Sequence, residues 1–364
     1  MSMKLEEFAR ESRATHKGDK SGVPIVGLEH LIPQEIKFSG YDVDTENTFT
    51  KTFKKGQILF GRRRAYLKKA AIADFDGICS GDITVIEAIP GKVDPLLLPF
   101  IIQNDKFFDY AVSRSAGGLS PRVKWEHLKD YEFDLPPIEE QRILADKLWA
   151  AYRLKESYKK LLTATQEMVK SQFIEMFGNL PIDGTIADVV ERNIKSVKKN
   201  FSPEDIIEYI DISSVDSSSH TIVETSQHVV SHAPSRAQQC VESGDILVST
   251  VRPINRNIAV VKSELSNLVA STGFCVLRPK DGFREYILSI VQSDPYTEQM
   301  CDKASGGLYP AVNNGDVLSF GIHIPDESQL KKVTYIYRQA DKSEFELRKS
   351  IEAIDQVIKS LINN

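Results

Sequence analysis

The chain has 364 residues, 41% of them hydrophobic, and its 46 Lys and Arg against 51 Asp and Glu give a formal net charge of −5. This length and apolar content suit two ordinary domains, and the charge argues mildly against a protein that coats nucleic acid. The longest apolar run, Leu96 to Ile102, is broken by Pro99 and too short to span a bilayer, so no membrane partner is expected.

The opening residues, Met1 to Glu7, hold no apolar stretch, so no signal peptide is expected. Residues 1–137 then mix short strand-like runs with turns. Gly56-Gln57-Ile58-Leu59-Phe60 and Ile83-Thr84-Val85-Ile86 read as strands. Residues 51–69 carry Lys51, Lys54, Lys55, Arg62, Arg63, Arg64, Lys68 and Lys69 with no Asp or Glu, so the local field is expected to be uncancelled. Asp94 to Tyr110 reads as one helix, and Leu135-Pro136-Pro137 ends the first domain. Residues 138–178 follow as a long helix and its stop. There is no Gly or Pro from Ile138 to Phe177, and Leu144, Leu148, Ala151, Tyr158, Leu162, Val169 and Met176 mark an apolar stripe. Forty helical residues reach about 60 Å.

Residues 179–325 read as a second mixed domain, and residues 326–364 as a second helix. Its stripe is Val333, Tyr337, Ala340, Leu347, Ile351, Ile354, Ile358 and Leu361. Isolated stripes of this kind pair with each other, and the order domain, helix, domain, helix favours an antiparallel pair. The four cysteines, Cys79, Cys240, Cys275 and Cys301, have no C-x-x-C spacing and fit free thiols in a reducing cytoplasm.

The halves repeat one another. Residues 116–136, AGGLSPRVKWEHLKDYEFDLP, and residues 305–325, SGGLYPAVNNGDVLSFGIHIP, share a Gly-Gly-Leu-x-Pro signature, and each is followed by a Gln (Gln141, Gln329) at a helix start. Upstream, Lys55-Gly56-Gln57-Ile58-Leu59 matches Ser243-Gly244-Asp245-Ile246-Leu247. On that anchor Arg64 falls on Arg252, Lys68 on Arg256 and Ala71 on Ala259, with Ser80-Gly81 near Ser271-Thr272-Gly273. Leu5-Glu6-Glu7-Phe8 resembles Ile186-Ala187-Asp188-Val189 at the start of each half.

Catalytic signatures are missing. No two glycines stand at i and i+2, and Gly91-Lys92 is followed by Val93, so neither a dinucleotide fingerprint nor a phosphate loop is present. Leu135-Pro136-Pro137-Ile138 lacks the polar first residue and the aromatic of an amino-methyltransferase tetrapeptide, and Pro325-Asp326 has no (D/E)-x-Lys after it. His228 and His232 have helical metal spacing but no third ligand beyond His220, and are read as surface histidines; no metal or cofactor is expected. Ser157-x-x-Lys160 and Ser196-x-x-Lys199 are read as solvated polar residues.

Candidate DNA contacts are Arg62, Arg63, Arg64, Tyr66, Lys68 and Lys69 in the first half, with Arg252, Asn255, Arg256 and Asn257 at the equivalent place in the second. Arginine reads guanine bidentately, asparagine reads adenine, and lysine neutralises phosphate. A different base-reading set on one scaffold is what two different half-sites require. The Gly-Gly-Leu-x-Pro segments, whose paired glycines permit either a structural turn or close backbone approach, make Arg122 and Lys124, and Tyr309 and Asn313, further candidates to lie beside bound DNA.

The chain resembles the specificity subunit of type I restriction-modification systems. The resemblance rests on Leu135-Pro136-Pro137-Ile138-Glu139-Glu140-Gln141 leading into a long helix, on Gly-x-Ile-Leu followed by Arg, on Gly-Gly-Leu-x-Pro, and on the duplication; it covers essentially the whole chain. The second junction, Ile324-Pro325-Asp326-Glu327-Ser328-Gln329, departs by one residue and lacks the second proline. The resemblance implies an α+β fold of two pseudo-symmetric mixed α/β target-recognition domains, joined by two long antiparallel helices forming a coiled coil. It also implies a cytoplasmic, non-catalytic adaptor that reads a bipartite asymmetric site in double-stranded DNA. Two copies of a modification methyltransferase subunit dock on the helices, and a restriction subunit is added. The competing expectations are a self-contained methyltransferase or nuclease, and a coiled-coil scaffold that binds no DNA.

Overall fold

Ile58-Leu59-Phe60-Gly61 is a strand buried at every position, and the alternation of its side chains explains why. Ile58 and Phe60 point into the larger core of the first half, Leu59 into a second core on the other face. Ile246, Leu247 and Val248 divide in the same way between the two main cores of the second half. The structure, a computed structural model, describes residues 2–191, 193–263 and 265–363. Its residues pack as two compact units, Met1–Lys160 with Arg348–Asn364, and Leu161–Leu347.

In the first unit an antiparallel sheet runs in the order Ala9–Ser12, Ile83–Ala88, Ile58–Gly61, Ala70–Ile72. In the second unit the order is Val190–Glu191, Phe274–Pro279, Ile246–Ser249, Ile258–Val260. The registers agree in detail: Leu59 stands between Val85 and Ala71, and Leu247 between Val276 and Ala259. Each unit adds a mixed sheet, three-stranded in the first and four-stranded in the second. In one, Ile25–Val26 runs parallel to Gly77–Cys79 and Lys51–Phe53 antiparallel to it. In the other, Ile206–Ile210 and Ala237–Cys240 flank Leu268–Ser271 in the same two senses, and Ser226–Val229 extends the edge. A four-residue helix opens each set, Leu5–Phe8 and Ile186–Val189, with its first and last side chains buried.

The helix expected over Asp94 to Tyr110 is two helices, Leu98–Ile102 and Asp105–Ser113. The break is a capping event: the Asn104 side chain accepts the Lys106 N–H at 2.9 Å, which starts a new helix in the middle of the apolar pattern. The second unit does the same with Arg284–Val291, Asp294–Lys303 and the cap Ser293.

Two long helices are present, Ile138–Phe177 and Glu327–Asn363. In the first unit, Leu144, Leu148, Trp149 and Tyr152 share a core with Ile358, Leu361 and Ile362. Lys155, nearly buried, bonds Asp355 at 2.7 Å. In the second unit, Phe173, Met176 and Phe177 share a core with Leu330, Val333 and Tyr337, and Gln166 donates to Glu344. Gln141, buried, accepts the Asp94 N–H and donates to the Pro136 carbonyl, tying its helix to the domain before it. Gln329 instead closes a capping box with Asp326, so the missing second proline is replaced by a helix start made from side chains. No helix among the described residues is long and apolar enough to cross a membrane.

Candidate nucleic-acid interface

Each unit follows its central strand with a single 3₁₀ turn whose two flanking residues are left-handed. Arg64 (φ 55°) and Lys68 (φ 52°) flank Ala65–Leu67; Arg252 (φ 49°) and Arg256 (φ 51°) flank Pro253–Asn255. A left-handed non-glycine residue costs about 1–2 kcal/mol, so the surroundings must hold it. They do so through the Gly-Gly-Leu-x-Pro loop. The Arg64 N–H donates to the Pro121 carbonyl and the Arg252 N–H to the Pro310 carbonyl, both at 2.7 Å. Val123 donates to the Arg62 carbonyl at 3.0 Å and Val312 to the Thr250 carbonyl at 2.9 Å. Each loop is closed at its base by a reciprocal pair, Ala116 with Arg122 and Ser305 with Ala311. Gly117 (φ 113°) and Gly306 (φ 111°) supply the positive φ the bend requires.

The basic cluster is not an uncancelled field, as its sequence suggested. The Asp82 carboxylate receives Arg122 Nε at 2.6 Å and Nη2 at 3.2 Å, with Arg63 Nη1 at 3.5 Å. Hydrogen bonding from Arg122, then its charge and that of Arg63, outweigh desolvation and hold this carboxyl below its ordinary value. Lys68 pairs with Asp105 at 2.6 Å, and Arg256 with Asp294 at 2.5 Å. Both aspartates are the first residue of a capped helix, and both are held below the ordinary carboxylate value by these hydrogen bonds. Lys68 and Arg256 therefore fix the turn to the helix behind it. Lys69 donates to the Leu28 carbonyl at 2.8 Å. Sequence distance hid these acids: Asp82, Asp105 and Asp294 are brought in by folding. The one readable signal was an Asn-Asp or Ser-Asp pair at each helix start.

The other expected residues divide between open and engaged. Arg64 is exposed and donates to Ser120 Oγ at 3.3 Å, where Arg63 also donates at 3.1 Å. The Arg252 guanidinium lies 4.6 Å from the centre of the Tyr309 ring and donates to the Leu308 carbonyl at 3.1 Å. Tyr66 is 53% exposed and Tyr309 67%. Asn255 and Lys124 face solvent, and Asn257 is half-buried. Asn313 caps Asn314–Leu318, accepting the Asp316 N–H at 3.0 Å, which occupies its carbonyl oxygen. The Nε atoms of Arg62 and Arg63 are buried without a hydrogen-bond partner among the described residues. Sequence reasoning did not single out Leu119 and Leu308, the loop tips, which are 97% and 85% exposed.

Outside these turns, His228 lies on the strand Ser226–Val229 and His232 in the turn Val230–His232, so they share no helix and the metal spacing has no geometry behind it. Glu29, His30 and Asp42 converge, but His30 Nδ1 takes the Gly27 N–H at 2.9 Å and Nε2 faces Asp42 at 3.6 Å, which accounts for the cluster as a histidine–carboxylate pair. Ser157 donates to the Arg153 carbonyl of its own helix. Burial pushes the Cys79 and Cys275 thiols up to about 12, the opposite of what a nucleophile needs.

Residues 8–164 match the family described as Type I restriction modification DNA specificity domain. The HindI specificity subunit of a type I restriction enzyme from Haemophilus influenzae is 29% identical over 140 residues, 37% of this chain and 30% of that protein. The EcoDI specificity subunit from Escherichia coli is 29% identical over 149 residues, 39% of this chain and 33% of that protein. The match thus spans about a third of the length of these curated relatives. A solved type I restriction-modification S subunit from M. genitalium is 13% identical and covers 100% of this chain and 96% of its own, with a TM-score of 0.54, which is a likeness of fold.

Proposed function

We propose that this chain, of which residues 8–164 match the type I restriction-modification DNA specificity domain, belongs to that family and is the non-catalytic DNA-reading subunit of such a system. In this reading residues 1–137 and 179–325 are pseudo-symmetric target-recognition domains, one per half of a split, asymmetric site in duplex DNA. The observation that carries it is the left-handed arginine turn clamped to a Gly-Gly-Leu-x-Pro loop, present once in each unit with different side chains. Arg64, Lys124, Tyr66, Arg252, Asn255 and Tyr309 supply the outward donors and rings, while Arg122 is held by Asp82. Phosphate contacts position such a protein and base contacts specify the sequence.

The helices Ile138–Phe177 and Glu327–Asn363 form an antiparallel coiled coil that sets the separation of the half-sites. Support comes from each unit separately: the start of one helix packs with the end of the other in the first, and the converse in the second. Two modification methyltransferase subunits dock on this spacer and a restriction subunit joins them, all in the cytoplasm. Large apolar side chains left exposed, Ile143 and Leu154 on the first helix and Tyr335 and Phe345 on the second, suit docked partners.

The test is a salt titration of the full chain on duplex DNA. Log affinity is expected to fall with log salt with a slope of about −3, as for three to four neutralised phosphates. A flat response would favour a protein scaffold. Methyl transfer from S-adenosylmethionine by the chain alone would favour an enzyme.

A further inference from the structure

The two most exposed large apolar side chains among the described residues are Leu119 and Leu308. They stand at the same place, after the second glycine of each Gly-Gly-Leu-x-Pro loop. Neither belongs to any hydrophobic core of its unit. Folding does not use them: the loop bend is made by Gly117 and Gly306 and its base by backbone hydrogen bonds. Nor are they on slack chain. The prolines that follow, Pro121 and Pro310, accept the N–H of Arg64 and Arg252, so each leucine is held on a clamped hairpin beside an arginine. A leucine side chain left in water forgoes the favourable burial of its apolar surface. An apolar tip on a braced loop with a guanidinium at its foot has the chemistry of a side chain that enters a stack of bases while the cation meets the DNA beside it.

The neighbours of the two tips differ, and that difference sorts the roles. Ser120 stands against Tyr309, Arg122 against Ala311, and Lys124 against Asn313. If the units read different half-sites, residues that differ can carry the sequence difference, whereas an apolar side chain common to both, which offers no hydrogen bond to a base edge, suits a task that does not depend on sequence. We propose that Leu119 and Leu308 are apolar wedges, each pressed into a base step of duplex DNA to open it and bend the helix. This rests on the DNA-reading function proposed above.

The experiment uses the full chain, a pool of duplexes with a randomised core, and the variants Leu119→Ala, Leu308→Ala, Arg64→Ala and Arg252→Ala. Affinity at several salt concentrations, the sequences selected from the pool, and DNA bending by gel mobility of permuted fragments are read together. Each leucine variant is expected to bind roughly tenfold more weakly, with reduced bending, an unchanged salt slope, an unchanged selected sequence and an unchanged melting temperature. Leucine variants that bind and bend like the parent would overturn the wedge while leaving DNA reading intact. A selected sequence altered only at one thymine would also overturn it, making the leucine a reader of the methyl group. A parent chain without salt-dependent binding would remove the DNA reading itself.

Discussion

Where the first unit has Arg63, Asp82 and Arg122, the second has Val251, Gly273 and Ala311. The correspondence is fixed by the backbone. The Arg62 N–H donates to the Asp82 carbonyl and the Thr250 N–H to the Gly273 carbonyl, while the bridge Arg63–Arg122 answers Val251–Ala311. Even the serine before each pair does the same work, Ser80 Oγ accepting from Asp82 and Ser271 Oγ from Gly273. All three members of an ionic network are thus absent together from one unit. In their place the second unit stacks Arg252 on Tyr309. The turn, the clamp and the rear ion pair (Lys68–Asp105, Arg256–Asp294) are kept. What is held constant is the backbone and its anchoring; what changes is the set of donors presented outward. The proposed reading of two different half-sites by one scaffold needs that separation.

The largest expected effect asks whether the two turns act independently. Arg64→Ala and Arg252→Ala are each expected to weaken binding of one half-site by about 10- to 100-fold, the range for a lost bidentate base contact. Duplexes substituted in one half-site at a time, at fixed salt, will show it. A loss shared by both half-sites would break the assignment of one unit to each.

Next comes the spacing. Four residues inserted after Tyr158, with four compensating on the partner helix, lengthen a helical spacer by about 6 Å. The preferred gap between half-sites is expected to grow by about two base pairs, measured by selection from duplexes of varied gap. An unchanged gap would remove the ruler.

Asp82→Asn sharpens the contrast between the units from the other side. Releasing Arg122 and Arg63 is expected to tighten sequence-independent binding and to steepen the salt slope by about one phosphate. The same substitution has a defined pH signature. Because the Asp82 carboxyl lies below its ordinary value of 3.8 in the folded chain, its contribution is present above that pH and lost as pH falls through the folded value. The melting-temperature difference between parent and variant is expected to be flat from about pH 5 to 8 and to close below about pH 4. For a pair this exposed to solvent screening the difference is expected to be small.

The smallest effect concerns the left-handed caps. Lys68→Gly and Arg256→Gly remove an ion pair of up to about 1 kcal/mol and relieve about 1–2 kcal/mol of backbone strain. Thermal melts are expected to move little in either unit. A large loss in one unit alone would show that its rear ion pair carries more than anchoring.

Much of this was legible in one dimension. The forty-residue helix from Ile138 to Phe177 is bounded as its lack of Gly and Pro predicts, because helix propagation is local and needs only a breaker such as Gly178 to stop it. The central strands were visible as apolar runs. The pairing of Arg64 with Arg252, Lys68 with Arg256 and Ala71 with Ala259 reappears in matching turns and ladders, since a repeated sequence meets the same local sterics twice. The helix from Asp94 to Tyr110 was misread because its apolar periodicity runs on across Asn104, whose capping hydrogen bond outweighs periodicity.

By itself, then, the amino-acid order determined the long helices, the repeated turn and which side chains are cationic. Tertiary structure alone decided which of those cations remain available, because Coulomb pairing depends on distance in space and not along the chain. Asp82, Asp105 and Asp294 reach their partners only once strands and capped helices are assembled. It also decided that Leu119 and Leu308 face water, since burial is set by what packs alongside and among the described residues these two stay 97% and 85% exposed.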